Sequence, residues 1–527
     1  MATQTLPAQS EKVREIVSYD PATGAEIGRA RLSSPEDVRR AVDAARRAQP
    51  AWANLSYRQR RKVILRAREL MLAQRDEIAR LVSRETGKPV AEALSMEIVP
   101  TLDAMHYFAQ ATEELLRPQK IDIGQYGLMG RASRIVFRPL RVIGIISPWN
   151  FPLATPADEV VMALMAGNAV VLKPSELTPL IALKLGDIFQ RAGLPPGLLN
   201  VITGDGATGA ALIDARVDKI MFTGSVATGK RVAEAAAKYL TPVVLELGGK
   251  DPMVVLEDAD VANAARAAVW GAFANSGQAC ASVERCYVHE SIAANFIERI
   301  VAETRTLKQG VGTEADVDIG AMSNQRQLEI VEDHVNDAAR RGAKILTGGK
   351  RGSNAEGFFY EPTVLTEVDH KMTIMRDETF GPVLPVMTFR TEEEAINLAN
   401  DSIYGLTASV WTKDLARGRR LAERIEAGTV MVNEVVYTHG IAQTPWGGVK
   451  QSGYGTTHGR PGLLELVHHQ HIHVNRFSFV PDLWWFRYSP KAAKLFGGLA
   501  KNFTTGSIVK TSRLMPQMLR RLLTLRR

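Results

Sequence analysis

Short apolar runs alternate with amphipathic stretches along most of this chain, and the rhythm changes near residue 141. From Ser34 to about Gln110 apolar positions recur at helical spacing, and SPEDVRRAVDAARRAQPAW opens with Ser34 as N-cap and acids in its first turn. From Arg141 the runs RVIGIIS, AVVLKP, LNVITG, KIMFTG and PVVLELGG each end at Gly, Pro or a polar residue, with helical stretches between them. That rhythm predicts parallel strands joined by crossover helices, with ligands held beyond the C-terminal ends of the strands. After Asp251 a second series begins (MVVLED, RCYVHE, PVLPVMTF, LTASVWT and TVMVNEV) and predicts a second α/β domain. SRIVFRPLR (Ser133 to Arg141) and HHQHIHVNRF (His468 to Phe477) alternate in period two and flank these blocks, which predicts strands pairing outside either domain.

Composition changes this picture little. The chain has 527 residues, too many for one compact core, and its 45% hydrophobic and 23% charged residues are ordinary for a globular protein. The N-terminal MATQTLPAQSEKVREIV lacks an apolar core of signal-peptide length, and no apolar run reaches bilayer-spanning length, so the expected compartment is the cytoplasm. The only cysteines, Cys280 and Cys286, have no zinc-type spacing and are expected to be free thiols. Charge is more informative. The net charge is +8, yet from Ser478 onward ten basic residues face the single acid Asp482, so the body of the chain is close to neutral and the excess belongs to a tail.

Three segments carry candidate chemistry. In NSGQACAS, Cys280 sits among Ala279, Ala281 and Gly277, side chains too small to cover it, and an uncovered thiol is a candidate nucleophile. Taken alone, a small core residue is the commoner role for such a cysteine, and Cys286 in ERCYVHE keeps that role. In PVVLELGGKDP, Glu246 ends an apolar strand at a glycine pair; poor solvation there would raise its pKa and suit it to general-base work, although an exposed strand-end carboxylate reads equally well. In SPWNFPLATP, Pro148 and Pro152 stiffen the backbone around Asn150, whose neutral amide could stabilise an oxyanion or simply occupy a turn. Two glycine patterns compete for a nucleotide phosphate: Gly204, Gly206 and Gly209 in ITGDGATGAAL, and Gly224, Ser225 and Gly229 in MFTGSVATGK. LKPSELTP adds Lys173 and Glu176, which could reach ribose hydroxyls or form a surface ion pair.

Together SPWNFPLATP, LKPSELTP, FTGS, LELGGKDP, NSGQACAS, ETFGPVLPV, NDSIYGLTASVWT and PWGGVKQSGYG resemble the NAD(P)-dependent aldehyde dehydrogenase superfamily, in the family's order and from about Tyr19 to Phe477. The resemblance implies an α/β fold with a Rossmann-like cofactor domain (residues 1–119 and 142–250), an α/β catalytic domain (251–465) and a small β oligomerisation element (120–141 and 466–477), followed by a tail (478–527). It implies Cys280 as nucleophile, the Asn150 amide and the Cys280 N–H as oxyanion donors, and Glu246 as the base that activates the hydrolytic water. It assigns the cofactor to Gly224 and Ser225 of FTGS, to Lys173 and Glu176 at the adenosine ribose, and to Glu378 and Phe380 at the nicotinamide ribose. Ser147, Pro148 and Trp149 would form part of its wall, with Leu247 and Gly206 completing the set. Glu176 would repel a 2′-phosphate, which favours NAD over NADP. Glu246 favours hydrolysis to acid over acyl transfer to coenzyme A, and the presence of all three catalytic candidates speaks against a silent relative. A homodimer or homotetramer is implied. His468, His469, His471 and His473 are read as strand residues at a subunit contact, and no metal is expected.

The tail departs from the family pattern. FVPDLWWFRYSP gathers Trp484, Trp485, Phe486 and Tyr488, and SRLMPQMLRRLLTLRR makes a basic amphipathic helix on which Leu514, Met515, Met518, Leu519, Leu522, Leu523 and Leu525 oppose Arg513, Arg520, Arg521 and Arg527. Such a helix suits an anionic membrane surface, and it equally suits packing across the protein's own dimer. The first reading predicts peripheral membrane association and a long-chain or otherwise hydrophobic aldehyde. Nucleic acid is the weaker partner, since phosphate recognition needs no apolar face.

Overall fold

The computed structural model describes residues 14–353 and 356–526. The N-terminal stretch MATQTLPAQSEKVREIV, read above as lacking a signal-peptide core, lies largely outside them, as does Arg527 of the tail. Contacts divide the chain into two compact units: Met1–Leu115 with Pro139–Leu466, and Leu116–Arg138 with Val467–Arg527. The expected cofactor and catalytic blocks both belong to the first.

Every apolar run of the first unit quoted above became a strand. Five of them, joined by the short strand Gly453–Tyr454, form one sheet in the order Gly453–Tyr454, Val243–Glu246, Lys219–Thr223, Val142–Ile146, Ala169–Lys173, Leu199–Val201, parallel except for the antiparallel first pair. Val142–Ile146 and Ala169–Lys173 are buried at every position, as strands covered on both faces must be. Seven strands form the other sheet, in the order Lys344–Thr347, Thr363–Thr366, Val383–Phe389, Val283–His289, Asp251–Val255, Thr407–Trp411, Thr429–Val432, parallel except for the first pair. Helices cover both sheets. The predicted N-cap Ser34 heads Pro35–Ala53 with a reciprocal capping box to Asp37.

The second unit holds the three-stranded sheet of Val467–Asn475, Arg131–Pro139 and Gln119–Ile121. Val467–Asn475 stands at its edge with most side chains exposed. The tail forms the helices Pro490–Asn502 and Met515–Arg526 in the same unit. Here the wheel reading needs a correction. Arg521, assigned to the polar side, is buried: its guanidinium donates to the carbonyls of Leu483 at 3.0 Å, Trp485 at 2.6 Å and Arg487 at 2.9 Å. The physical reason is that three unpaired carbonyls in one turn offer a fork-shaped donor more than water does. Met515, Leu519 and Leu523, four residues apart, consequently face outward, with Leu523 64% exposed.

Candidate functional site

The larger unit contains a cavity of about 720 Å³ lined by Thr223 and Glu246 of the six-stranded sheet and by loops that flank both sheets. Cys280, Glu246 and Asn150, about 130 residues apart at the extremes, all line it, together with Pro148, Trp149, Gly224, Ser225, Leu247, Glu378 and Phe380.

Cys280 follows a tight loop. Asn275, Ser276 and Gly277 all have positive φ (54°, 54° and 70°), and a Cβ on Gly277 would lie 2.1 Å from the Gly381 carbonyl oxygen. Only glycine fits there, which explains the small residues before the thiol. Asn275 is held from outside the loop, its N–H donating to both oxygens of Glu92 at 2.9 and 3.0 Å. The thiol is partly exposed to the cavity. Burial, and then the carboxyls of Asp251, Glu246 and Glu378, push its pKa well above the ordinary thiol range.

Asn150 leaves the strand Val142–Ile146 through Ser147 and Pro148. Its side-chain amide donates to the Gln278 carbonyl at 3.0 Å, tying it to the cysteine loop and leaving its second N–H uncommitted. Its backbone carbonyl accepts from the Lys88 ammonium at 2.7 Å, and Lys88 is in turn paired with Glu97 at 2.7 Å, both side chains fully buried. The other Glu97 oxygen accepts the N–H groups of Leu153 and Ala154. Breaking a buried pair of this kind typically costs about 3–5 kcal/mol.

Glu246 ends its strand between Thr223 and Gly453 in the register of the sheet. Both carboxyl oxygens are buried without a hydrogen-bond partner. Burial, followed by the carboxyl of Glu159, raises its pKa well above the usual carboxylate range, against a weaker pull from Trp446. Glu378 accepts from the Gly249 N–H at 3.1 Å, and burial raises it to about 8. The neighbouring Phe380 is fixed by a second buried pair, Lys250 with Glu284 at 2.6 Å, since Glu284 also accepts the N–H groups of Thr379 and Phe380 at 2.8 Å. Phe380 meets Trp149 edge to face, ring centroids 5.4 Å apart.

The competing glycine patterns separate here. Gly224 and Ser225 line the cavity, and Ser225 caps the helix Val226–Ala237, whose free N–H groups form an anion-favouring end. Gly206 does not line it; it begins the helix Gly206–Asp214 behind its cap Asp205. Ser147, Lys173 and Glu176 also lie outside the lining. They stand at the same sheet edge, where the Ser147 N–H donates to the Lys173 carbonyl at 3.0 Å and the Lys173 ammonium lies 3.5 Å from Glu176. Buried hydroxyls of Ser147 and Thr223 without partners mark an edge built for a polar ligand, as a dinucleotide requires. Sequence reasoning missed Lys88, Glu92, Glu97, Lys250 and Glu284, as well as Asp158, Glu159, His439 and His458, which also line the cavity. Spacing gives no signal for them, because each acts on a partner remote in the chain.

The site joins the C-terminal strand ends of the six-stranded sheet, where Pro148, Gly224 and Leu247 follow their strands, to loops that enter the seven-stranded sheet at its N-terminal edge, where Cys280 and Phe380 precede Val283–His289 and Val383–Phe389. The expectation of ligands beyond C-terminal strand ends thus holds for the first sheet only, and the class is a two-sheet α/β protein with a thiol in its cavity. The family model of the aldehyde dehydrogenase family matches residues 8–472, and the chain belongs to that family. It is 40% identical over 92% of its length to the 4,4'-diapolycopene aldehyde oxidase of Methylomonas sp, covering 90% of that protein. Among solved structures it resembles an NAD+ complex of aldehyde dehydrogenase from Bacillus cereus (TM-score 0.84, 35% identity, 88% of this chain and 94% of the other). It also resembles an E. coli NADP dependent enzyme (TM-score 0.84, 34% identity, 88% and 95%). The protein is thus an NAD(P)-dependent enzyme that oxidises an aldehyde to a carboxylic acid.

Proposed function

We propose that the chain oxidises hydrophobic aldehydes, with Cys280 as nucleophile, Asn150 as oxyanion donor and Glu246 as the hydrolytic base. The observation that carries the substrate class is the cavity's lining. Met96, Val99, Phe151, Leu406, Val436 and Trp446 form its walls, and Val99, Trp270 and Tyr437 stand at 60%, 42% and 60% exposure. Exposed large apolar side chains gathered at one opening are a binding feature. Among the described residues no Lys or Arg lines the cavity, so a distal carboxylate on the substrate would find no cation among them. The Methylomonas relative, named for 4,4'-diapolycopene aldehyde, points the same way.

In this mechanism the Cys280 thiolate adds to the aldehyde carbon, and the uncommitted Asn150 N–H with the Cys280 backbone N–H stabilises the resulting oxyanion. The chemistry supplied by bound NAD(P)+ is acceptance of a hydride from the thiohemiacetal carbon. Gly224, Ser225, Lys173 and Glu176 would hold it at one end, and Glu378 and Phe380 at the other. Glu246 then takes a proton from water as its oxygen attacks the thioester, the C–S bond breaks, and acid leaves. Glu176 beside Lys173 favours NAD over NADP. The test is a panel of straight-chain aldehydes and succinate semialdehyde, assayed with each dinucleotide. The expected result is kcat/KM rising with chain length by roughly tenfold per two methylenes, from about 0.8 kcal/mol per buried CH₂, until the cavity is filled. A flat profile, or preference for the charged aldehyde, would reject the substrate class.

The tail supports a second element. Within the second unit the outward stripe of Met515, Leu519 and Leu523 is flanked by the exposed Arg520, and Asp482, the one acid in the sequence from Ser478 onward, is taken up by Arg131. We propose that this stripe seats the enzyme on anionic membranes and that the exposed edge strand Val467–Asn475 pairs between subunits of a dimer or tetramer. No helix among the described residues is long and apolar enough to cross a membrane. Replacing the three apolar residues by serine is expected to abolish co-sedimentation with phosphatidylglycerol vesicles while leaving turnover of a short aldehyde unchanged. A native protein that never sediments with such vesicles, or a monomer by ultracentrifugation, would remove the corresponding proposal.

A further inference from the structure

The apolar substrate reading leaves one part of the cavity without a task. Asp158 and Glu159, on the helix Ala154–Met165, and His458 line it beside Glu246 and are buried to 3%, 3% and 2% exposure. The Nε2 of His458 lies 3.0 Å from the Asp158 carboxylate, and its Nδ1 is buried with no partner, as is the second Asp158 oxygen. An imidazole that donates from Nε2 to a carboxylate keeps a lone pair on Nδ1, here buried and unpartnered on a residue that lines the cavity. The backbone of His458 is held at φ 60° and ψ 165°, a region that side chains other than glycine's rarely enter. Strain of this kind persists where surrounding structure fixes a residue for use.

The polar groups form a series. Glu159 is the charged neighbour acting on Glu246 and Asp158 the one acting on Glu159, while on Asp158 it is His458 that acts first, by hydrogen bond and by charge, and Asp103 after it. Asp103, on the helix Val99–Leu115, lines the same cavity and is exposed. His439 packs edge to face on His458 at 4.8 Å and on Trp446 at 4.9 Å; burial, then His458, push its pKa down to about 3, so it stays neutral. The chemistry poses a problem that this series answers. Each turnover loads a proton onto Glu246, a buried carboxyl that holds protons tightly and has no hydrogen-bond partner to take one.

We propose that His458 and Asp158 form a proton exit that discharges Glu246 through cavity water to solvent at Asp103. The inference rests on Glu246 being the base. After hydrolysis the Glu246 carboxylic acid gives its proton to water beside Glu159, and Nδ1 of His458 accepts it. The imidazolium passes its Nε2 proton to Asp158, which releases it towards Asp103 and bulk water. One proton crosses from the interior to solvent and no oxidation state changes; the imidazole is left neutral with its proton on Nδ1, and proton exchange with cavity water returns it to the Nε2–H form before the next turnover.

The test uses the full-length enzyme with His458→Ala, Asp158→Asn, Asp103→Asn and Glu246→Gln. In His458→Ala and Asp158→Asn a pre-steady-state burst of one NADH per active site is expected to survive, because aldehyde oxidation precedes hydrolysis. Steady-state turnover should fall about 100-fold, the lower end of the span of positioned proton transfer. Added imidazole should restore His458→Ala, and Asp103→Asn should make turnover rise with buffer concentration. Native turnover and pH profile in His458→Ala, or loss of burst and turnover together without imidazole rescue, would overturn the exit. If His458→Ala fails to fold, a buffer-independent Asp103→Asn with native turnover does the same. Glu246→Gln separates the two levels: native hydrolysis in that variant would reject the base itself, whereas its collapse beside an unaffected His458→Ala would reject only the exit.

Discussion

Replacing Cys280 by alanine is expected to reduce NADH formation by at least roughly 10⁴-fold with every aldehyde, because no other thiol can take its place. The only other cysteine in the sequence, Cys286, is fully buried in the core among Met253, Val255 and Val386 and is not part of the cavity lining. Dinucleotide affinity should be unchanged, since the residues proposed to hold the dinucleotide, Gly224, Ser225, Lys173 and Glu378, belong to other segments of the chain. Both halves of that expectation matter. A loss of activity accompanied by lost dinucleotide binding would mean only that the loop Asn275–Gly277 had collapsed. Alkylation gives an independent measurement: iodoacetamide should label one thiol in the folded native protein, more slowly at neutral pH than at alkaline pH, because the thiolate is scarce while burial and three carboxyls oppose it. Cys286→Ala should retain activity. Dehydrogenase turnover by Cys280→Ala near the native rate would dismiss the covalent mechanism outright.

The parts of this enzyme that the sequence makes legible are those written locally. Strands such as Val142–Ile146 and Ala169–Lys173 are continuous apolar runs because both faces are covered, and their ends carry the glycines and prolines where ligand loops begin. Cys280, Glu246 and Asn150 could be nominated because each sits in a short segment whose neighbours already constrain its chemistry. The buried pairs Lys88 with Glu97 and Lys250 with Glu284 could not, since what makes each cation significant is a carboxylate brought to it by the fold. His458 is the clearest case. In THG it looks like a surface turn residue, and its meaning comes from Asp158, 300 positions earlier. The wheel reading of the tail failed at Arg521 for a related reason: periodicity separates apolar from charged positions, but it does not reveal three carbonyls waiting on another turn.

Glu246→Gln should separate the two halves of the reaction. Glutamine keeps the shape of the side chain and cannot accept the water's proton, so thioester formation should proceed and hydrolysis should slow by about 10²–10⁴-fold. The expected trace is a burst of NADH followed by near-arrest, with acyl-enzyme visible by mass spectrometry on Cys280. The pH dependence follows from the same burial. The raised pKa means that Glu246 is protonated, and therefore inactive as a base, until the pH exceeds an unusually high value; Glu159 at its side is itself pushed up to about 8 by burial and by Asp158. Native turnover should therefore climb through neutral pH and level off only on the alkaline side, the sign opposite to that of an enzyme whose working group must be protonated. In Glu246→Gln the residual hydrolysis should lose the rise contributed by this group and follow hydroxide concentration alone. A native profile already level at pH 6 would contradict the high pKa, and an unaltered profile in the variant would show that some other group removes the proton from water.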